Sequence, residues 1–168
     1  TDDVCEALKE GRTPIVLTGL TAHVETLAKA LAPHCKHVVT LVGSEPAKEK
    51  LRRMEYLQNV NPSEPLVIVA TGKYVGEGFD YPRLDTLFLA LPVSWKGIVA
   101  QYAGRLHREY TGKKEVRIYD YIDIRMPMCD VMYRRRLKGY ASVGYRIKQE
   151  KPVDVSAESL QGIIFNGH

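Results

Sequence analysis

Cysteine, tryptophan and long apolar runs are all scarce in this chain of 168 residues. Its three cysteines, Cys5, Cys35 and Cys129, are odd in number, widely spaced and form no CxxC pair, which argues against both a disulfide framework and a zinc ribbon. A reducing, cytoplasmic setting is expected. No apolar run approaches the roughly 20 residues needed to cross a bilayer, and the acidic start TDDVCEALKEGR reads as a helix rather than a signal, so no membrane partner is expected. Neither charge sign dominates. The 24 Lys and Arg against 20 Asp and Glu leave a formal charge of +4, which suits an anionic partner without demanding one. There is no internal repeat, and the chain opens on a helix without an initiator methionine, so a piece of something longer is expected.

What is present is a core large enough for one domain, since 45% of the residues are hydrophobic. Apolar, β-branched runs recur at PIVLT (14–18), HVVTLV (37–42), LVIVA (66–70), TLFLAL (86–91) and EVRIYDY (115–121). Several are apolar on successive residues instead of alternating, the pattern of strands covered on both faces. Between them lie helical stretches: Val24 to Leu31 behind a Thr21 cap, Ala47 to Gln58 behind Ser44, and Gly97 to His107 behind Ser94. A last helix is expected from Pro127 to Tyr140. The alternation predicts an α/β three-layer sandwich with a mainly parallel sheet, functional loops lying at the carboxyl ends of the strands. Residues 1–149 form the expected domain, and residues 150–168 either pack on it or serve as a tail or linker.

Two constellations carry chemistry. ATGKYVGEGFDYP (70–82) follows a buried strand and holds Gly72, Gly76 and Gly78 within seven residues. Glycines there permit positive φ and expose amides suited to phosphate oxygens, while Asp80 offers a carboxylate for a sugar hydroxyl or an arginine. A plain surface loop has the same composition. In QYAGRLHRE (101–109), Gln101, Arg105 and Arg108 are four and three residues apart, so they project from one helix face while Ile98, Tyr102 and Leu106 face the sheet. Arginine keeps its charge and its rigid fork of donors, which suits a transferring phosphoryl group. A solvated helix face is the alternative.

Together the two segments resemble helicase sequence motifs. ATGKYVGEGFD (70–80) resembles motif V, QYAGRLHR (101–108) resembles motif VI, and IVLTGLTAHVETLAKAL (15–31) resembles motif IV. In order and strand placement the chain is similar to the second, C-terminal RecA-like lobe of superfamily 2 helicases of the DEAD/DEAH-like kind, closest to the branch of the type III restriction enzyme res subunit. The likeness spans about residues 14–125. It implies that Arg105 and Arg108 act as arginine fingers on the γ-phosphate of an ATP held by another lobe, with Gln101 in the same network. It further implies that Gly78 and Asp80 approach the nucleotide, Asp80 near the ribose and Glu77 beside them, and that Thr71 and Gly72, with Thr18, Gly19 and Thr21 of motif IV, touch a nucleic-acid backbone. Thr21 has a second explanation as a helix cap.

The phosphate-binding loop GxxxxGK[ST] is missing, since neither Gly72-Lys73 nor Gly112-Lys113 has the flanking residues it needs, and there is no DExx box after a strand. ATP and Mg²⁺ are therefore expected to be held mainly by an N-terminal RecA-like lobe of the same polypeptide, and the isolated chain is expected to be inactive. The implied whole is an ATP-dependent helicase or translocase, on DNA rather than RNA by the restriction-like resemblance. A non-catalytic nucleic-acid-binding or scaffold domain of the same fold is the alternative; the lack of a GxGxxG turn weighs against a free-standing nucleotide enzyme. Other groups have structural readings: His34, Cys35 and His37 lie at a helix-to-strand junction without a second ligand cluster, Asp120 and Asp123 end a strand, Trp95 covers a sheet edge or stacks on a base, and the run Arg134, Arg135, Arg136 and Lys138 is a solvated face or a phosphate contact.

Overall fold

The computed structural model describes residues 1–43, 45–76, 79–90, 98–123, 126–153 and 160–167. Along the chain come α1 (Asp2–Lys9), β1 (Pro14–Thr18), α2 (Thr21–Leu31), β2 (His37–Leu41), α3 (Ala47–Asn59), β3 (Leu66–Thr71), α4 (Gly72–Gly76), β4 (Thr86–Ala90), α5 (Ile98–Leu106), β5 (Val116–Asp123), α6 (Pro127–Ser142), β6 (Arg146–Val153) and β7 (Leu160–Gly167). The five strands expected from sequence are β1 to β5. They pair in parallel in the order β2-β3-β1-β4-β5, and β7 joins antiparallel to β5, with β6 outermost.

Successive residues of a strand face opposite sides of the sheet, and here both sides are apolar. Ile15 and Leu17 of β1, Ile68 and Ala70 of β3 and Leu87 and Leu89 of β4 pack under α3, α4, α5 and α6. Their neighbours Val16, Val67, Val69 and Phe88 pack under α1 and α2. The result is a sheet between two helical layers, as the uninterrupted apolar runs require. Among the described residues no helix is long and apolar enough to cross a membrane.

Several local expectations differ from the structure. Thr21 is the first residue of α2 rather than its cap: Leu20, in an extended conformation, holds the cap position and makes no side-chain capping bond. Pro46 precedes α3, its fixed φ matching the −58° of that position, whereas Ser44 and Ser94 lie outside the described residues. Residues 160–167, which the sequence left either to pack on the domain or to serve as a tail or linker, form β7 and are hydrogen-bonded along β5 from Val116↔Gly167 to Asp123↔Leu160. Arg136 is not on a solvated face. It is buried beneath α6, where Nε and Nη2 donate to the Asp120 carboxylate at 2.7 and 2.8 Å and the Tyr140 hydroxyl donates to it at 3.0 Å.

Candidate functional site

The parallel register brings the carboxyl ends of the central strands level. Thr18, the last residue of β1, is paired with Thr71 of β3 on one side and Ala90 of β4 on the other. Two of the three threonines expected to touch nucleic acid, Thr18 and Thr71, are therefore neighbours, and both are buried. The Thr71 hydroxyl accepts a bond from the Gly43 amide at 3.2 Å, and that of Thr18 lies 3.4 Å from His23 Nδ1. Gly43 sits tightly against α4, since a Cβ there would meet Lys73 Cγ at 3.2 Å and Tyr74 N at 3.3 Å. Gly19 and Thr21, one step further out, are exposed, and Gly72 is buried.

The glycine-rich segment was expected to be a loop with positive φ. It begins as the short helix α4 instead, because Tyr74 and Val75 bury their side chains in the core and draw the chain into a helical turn. Glu77 and Gly78 lie outside the described residues. The chain resumes at Phe79, which is buried with its ring 5.9 Å from that of Tyr74, and Asp80 emerges at the surface.

Helix α5 crosses beside this segment. Tyr102 and Leu106 are buried, as their spacing predicted, and burial raises the Tyr102 phenol well above its ordinary range even with the Arg105 charge beside it. Gln101 is exposed. Arg105 is half-buried and turned back onto its own lobe, its Nη1 donating to the carbonyls of Val75 (3.2 Å) and Phe79. It thereby ties α5 to both flanks of the motif V segment. The helix ends at Leu106, one residue short of the expected His107, so Arg108 projects from the turn after it, where its amide donates to the Arg105 carbonyl at 3.0 Å. Arg108 is 62% exposed, and its Nη2 lies 3.4 Å from Asp80 Oδ2.

The structure thus joins Asp80, Arg105 and Arg108 in one group at the carboxyl edge of the sheet, with Thr18 and Thr71 behind it. An exposed guanidinium next to a carboxylate, at the rim of an α/β sheet, can receive an anion carried by a second body. Lys113 was missed by sequence reasoning. Its ammonium donates to the carbonyls of Pro82, Leu106 and Arg108 at 2.6, 3.0 and 2.8 Å. The Gly112-Lys113 pair right after the arginines was the available signal, and it registers in the sequence only as a failed phosphate loop.

The other candidates have ordinary partners. The Cys35 thiol donates to the His37 carbonyl at 3.4 Å, and the His37 ring lies between the Tyr56 hydroxyl at 2.6 Å and the Glu64 carboxylate at 2.8 Å. Trp95 lies outside the described residues.

No protein-family model matches the chain. It is 33% identical over 118 residues to 161L of Invertebrate iridescent virus 6, provisionally named a helicase; the match covers 69% of this chain but 22% of that protein. Among solved structures it is similar to UvsW of T4 at a TM-score of 0.51 and 21% identity, over 65% of this chain and 22% of that one. It is also similar to TrmK, the B. subtilis m1A22 tRNA methyltransferase, at 0.51 and 15% identity, over 99% of this chain and 64% of that one. The two structural likenesses are ones of fold. A likeness of fold leaves the choice of function to the site.

Proposed function

We propose that this chain is the second motor lobe of an ATP-dependent helicase or translocase, completing an ATP site on a preceding RecA-like lobe of the same polypeptide. The single observation that carries the reading is the group Asp80, Arg105 and Arg108, in which motif V and motif VI residues meet at the carboxyl edge of a parallel sheet. The sequence likeness to the viral 161L protein supports it.

In this reading ATP, with Mg²⁺ held mainly by the other lobe, supplies the phosphoryl group to be transferred. Arg108 is the finger. An exposed ion pair contributes only about 0–1 kcal/mol, so Arg108 can leave Asp80 for a γ-phosphate at little cost, and Asp80 is then released to accept from the ribose. Arg105 holds the motif V segment against α5 while carrying its charge toward the same site, and the exposed Gln101 extends the network. Gly19 and Thr21 are the outward nucleic-acid contacts, and Thr18, Thr71 and Gly72 order the edge beneath them. Contacts of this kind go to phosphates and make binding salt-dependent and largely indifferent to sequence. DNA is the preferred substrate on the resemblance to the type III restriction branch.

The test is nucleic-acid-stimulated ATP hydrolysis by the full-length parent protein, measured with DNA and with RNA. Arg108→Ala is expected to lower turnover by about 10³-fold, the scale of an arginine finger, without loss of fold. If Arg108→Ala and Arg105→Ala both match the wild type while nucleic acid still binds, the chain is the non-catalytic binding domain instead.

A further inference from the structure

The Lys113 ammonium, next to the site, is engaged inside the lobe. An ammonium carries three protons, and three backbone carbonyls receive them: Pro82 at 2.6 Å, Leu106 at 3.0 Å and Arg108 at 2.8 Å. Leu106 ends α5, so the carbonyls of Leu106 and Arg108 lie where a helix runs out of internal donors and its dipole favours a cation. Pro82 is two residues past Asp80. One side chain therefore joins the turn that carries Arg108 to the segment that carries Asp80. Gly112, at φ +87°, turns the chain so that Lys113 comes back under α5, a turn closed by Lys113 N donating to Tyr110 O at 3.0 Å. A side chain at that φ would be strained.

We infer that Lys113 is a positioning residue, which sets the Arg108 guanidinium against Asp80 and toward the phosphate that Arg108 would meet on a facing lobe. The inference rests on the motor reading above and deepens it. Lysine fits this place better than arginine would, because a point charge with three rotatable donors can converge on three carbonyls and a planar fork cannot. Burial lowers the Lys113 pKa, and the charges of Asp85 and Asp80 oppose that shift. Burial, and after it the Lys113 charge, hold the His107 pKa below its ordinary 6.5.

The experiment is steady-state ATP hydrolysis by the full-length parent protein, comparing Lys113→Met with wild type in two backgrounds. Misplacing a catalytic group by about 1 Å costs on the order of a hundredfold, so Lys113→Met is expected to lower kcat roughly 10- to 100-fold with KM for ATP changed less than about twofold. In the Arg108→Ala background the same change is expected to cost nothing further, because Lys113 acts through Arg108. An undiminished kcat in folded Lys113→Met overturns the inference, as does an equal loss in both backgrounds, the mark of a purely structural role. If Arg108→Ala alone leaves kcat unchanged, the positioning role fails; if Arg105→Ala is silent as well, the motor reading fails with it; if only Lys113→Met is silent, the positioning role alone fails. Should Lys113→Met not fold, Gly112→Ala keeps the lysine and strains its turn. A several-fold drop in kcat that disappears in the Arg108→Ala background is then expected, and no drop overturns the inference.

Discussion

Two arginine–aspartate pairs in this chain have the same chemistry and opposite settings. Arg136 and Asp120 lie between α6 and β5 with their side chains 1% and 0% exposed, joined by two bonds of 2.7 and 2.8 Å and sealed by Tyr140. Arg108 and Asp80 meet at the carboxyl edge, 62% and 37% exposed, at a single separation of 3.4 Å. Desolvated charges can separate only by leaving one of them unpaired in a medium that does not solvate it, so the first pair is locked. Water and salt screen the second, and either member can take a new partner. The buried pair thus belongs to the fold, and the exposed pair is fit for a step in which partners exchange.

The comparison breaks most readily at the buried end. Asp120→Ala is expected to cost about 3–5 kcal/mol in urea denaturation of the chain, because the buried Arg136 loses the carboxylate that takes its Nε and Nη2 bonds; a loss below about 1 kcal/mol would mean that water or another acceptor replaces that carboxylate. Asp80→Ala, the matching change at the rim, is expected to shift stability by less than about 1 kcal/mol in the same measurement. A larger loss would show that the rim pair is also structural and would remove the case for exchange.

The smallest effect expected is one of pH. His107 titrates below its ordinary 6.5, chiefly through burial and secondarily through Lys113. As pH falls below 6.5 the unfolded chain binds the proton before the folded one, so stability is complete above that value and declines as pH drops toward the folded-state pKa. His107→Gln is expected to flatten the stability curve between about pH 7 and 5, a range chosen around the unperturbed histidine value; an unchanged slope would assign it to other groups.

Much of the fold could be read from the order of residues. The runs at 14–18 and 66–70 are apolar on consecutive positions, which only a strand covered on both faces accommodates, and both are central strands. The four-residue step from Gln101 to Arg105 likewise placed Tyr102 inward and Gln101 outward. Less was legible at helix starts. Thr21 satisfies the composition of a cap, yet Leu20 occupies the position, since capping depends on one φ/ψ pair that composition does not specify. Arg136 was grouped with Arg134 and Arg135 by charge, although its helical phase turns it toward Asp120 on the sheet.

The candidate site was legible as a set of residues and illegible as a set of bonds. Arg105 and Arg108 stand out in a sequence because their spacing is local, but the acceptors of Arg105, Val75 and Phe79, are 30 and 26 positions away. Lys113 reaches Pro82 across 31 positions and is unremarkable in the sequence itself. Sequence alone determined strands β1 to β5, the two apolar faces of the sheet and the presence of two arginines next to a glycine-rich segment, because each is written in periodicities of a few residues. Only the tertiary structure decided that Arg105 bonds inward, that Arg108 stays exposed beside Asp80 and that Lys113 clamps their two segments together. The strand register and the crossing of α5 over α4 set those distances, and both arise from burying many apolar side chains at once rather than from any local pattern.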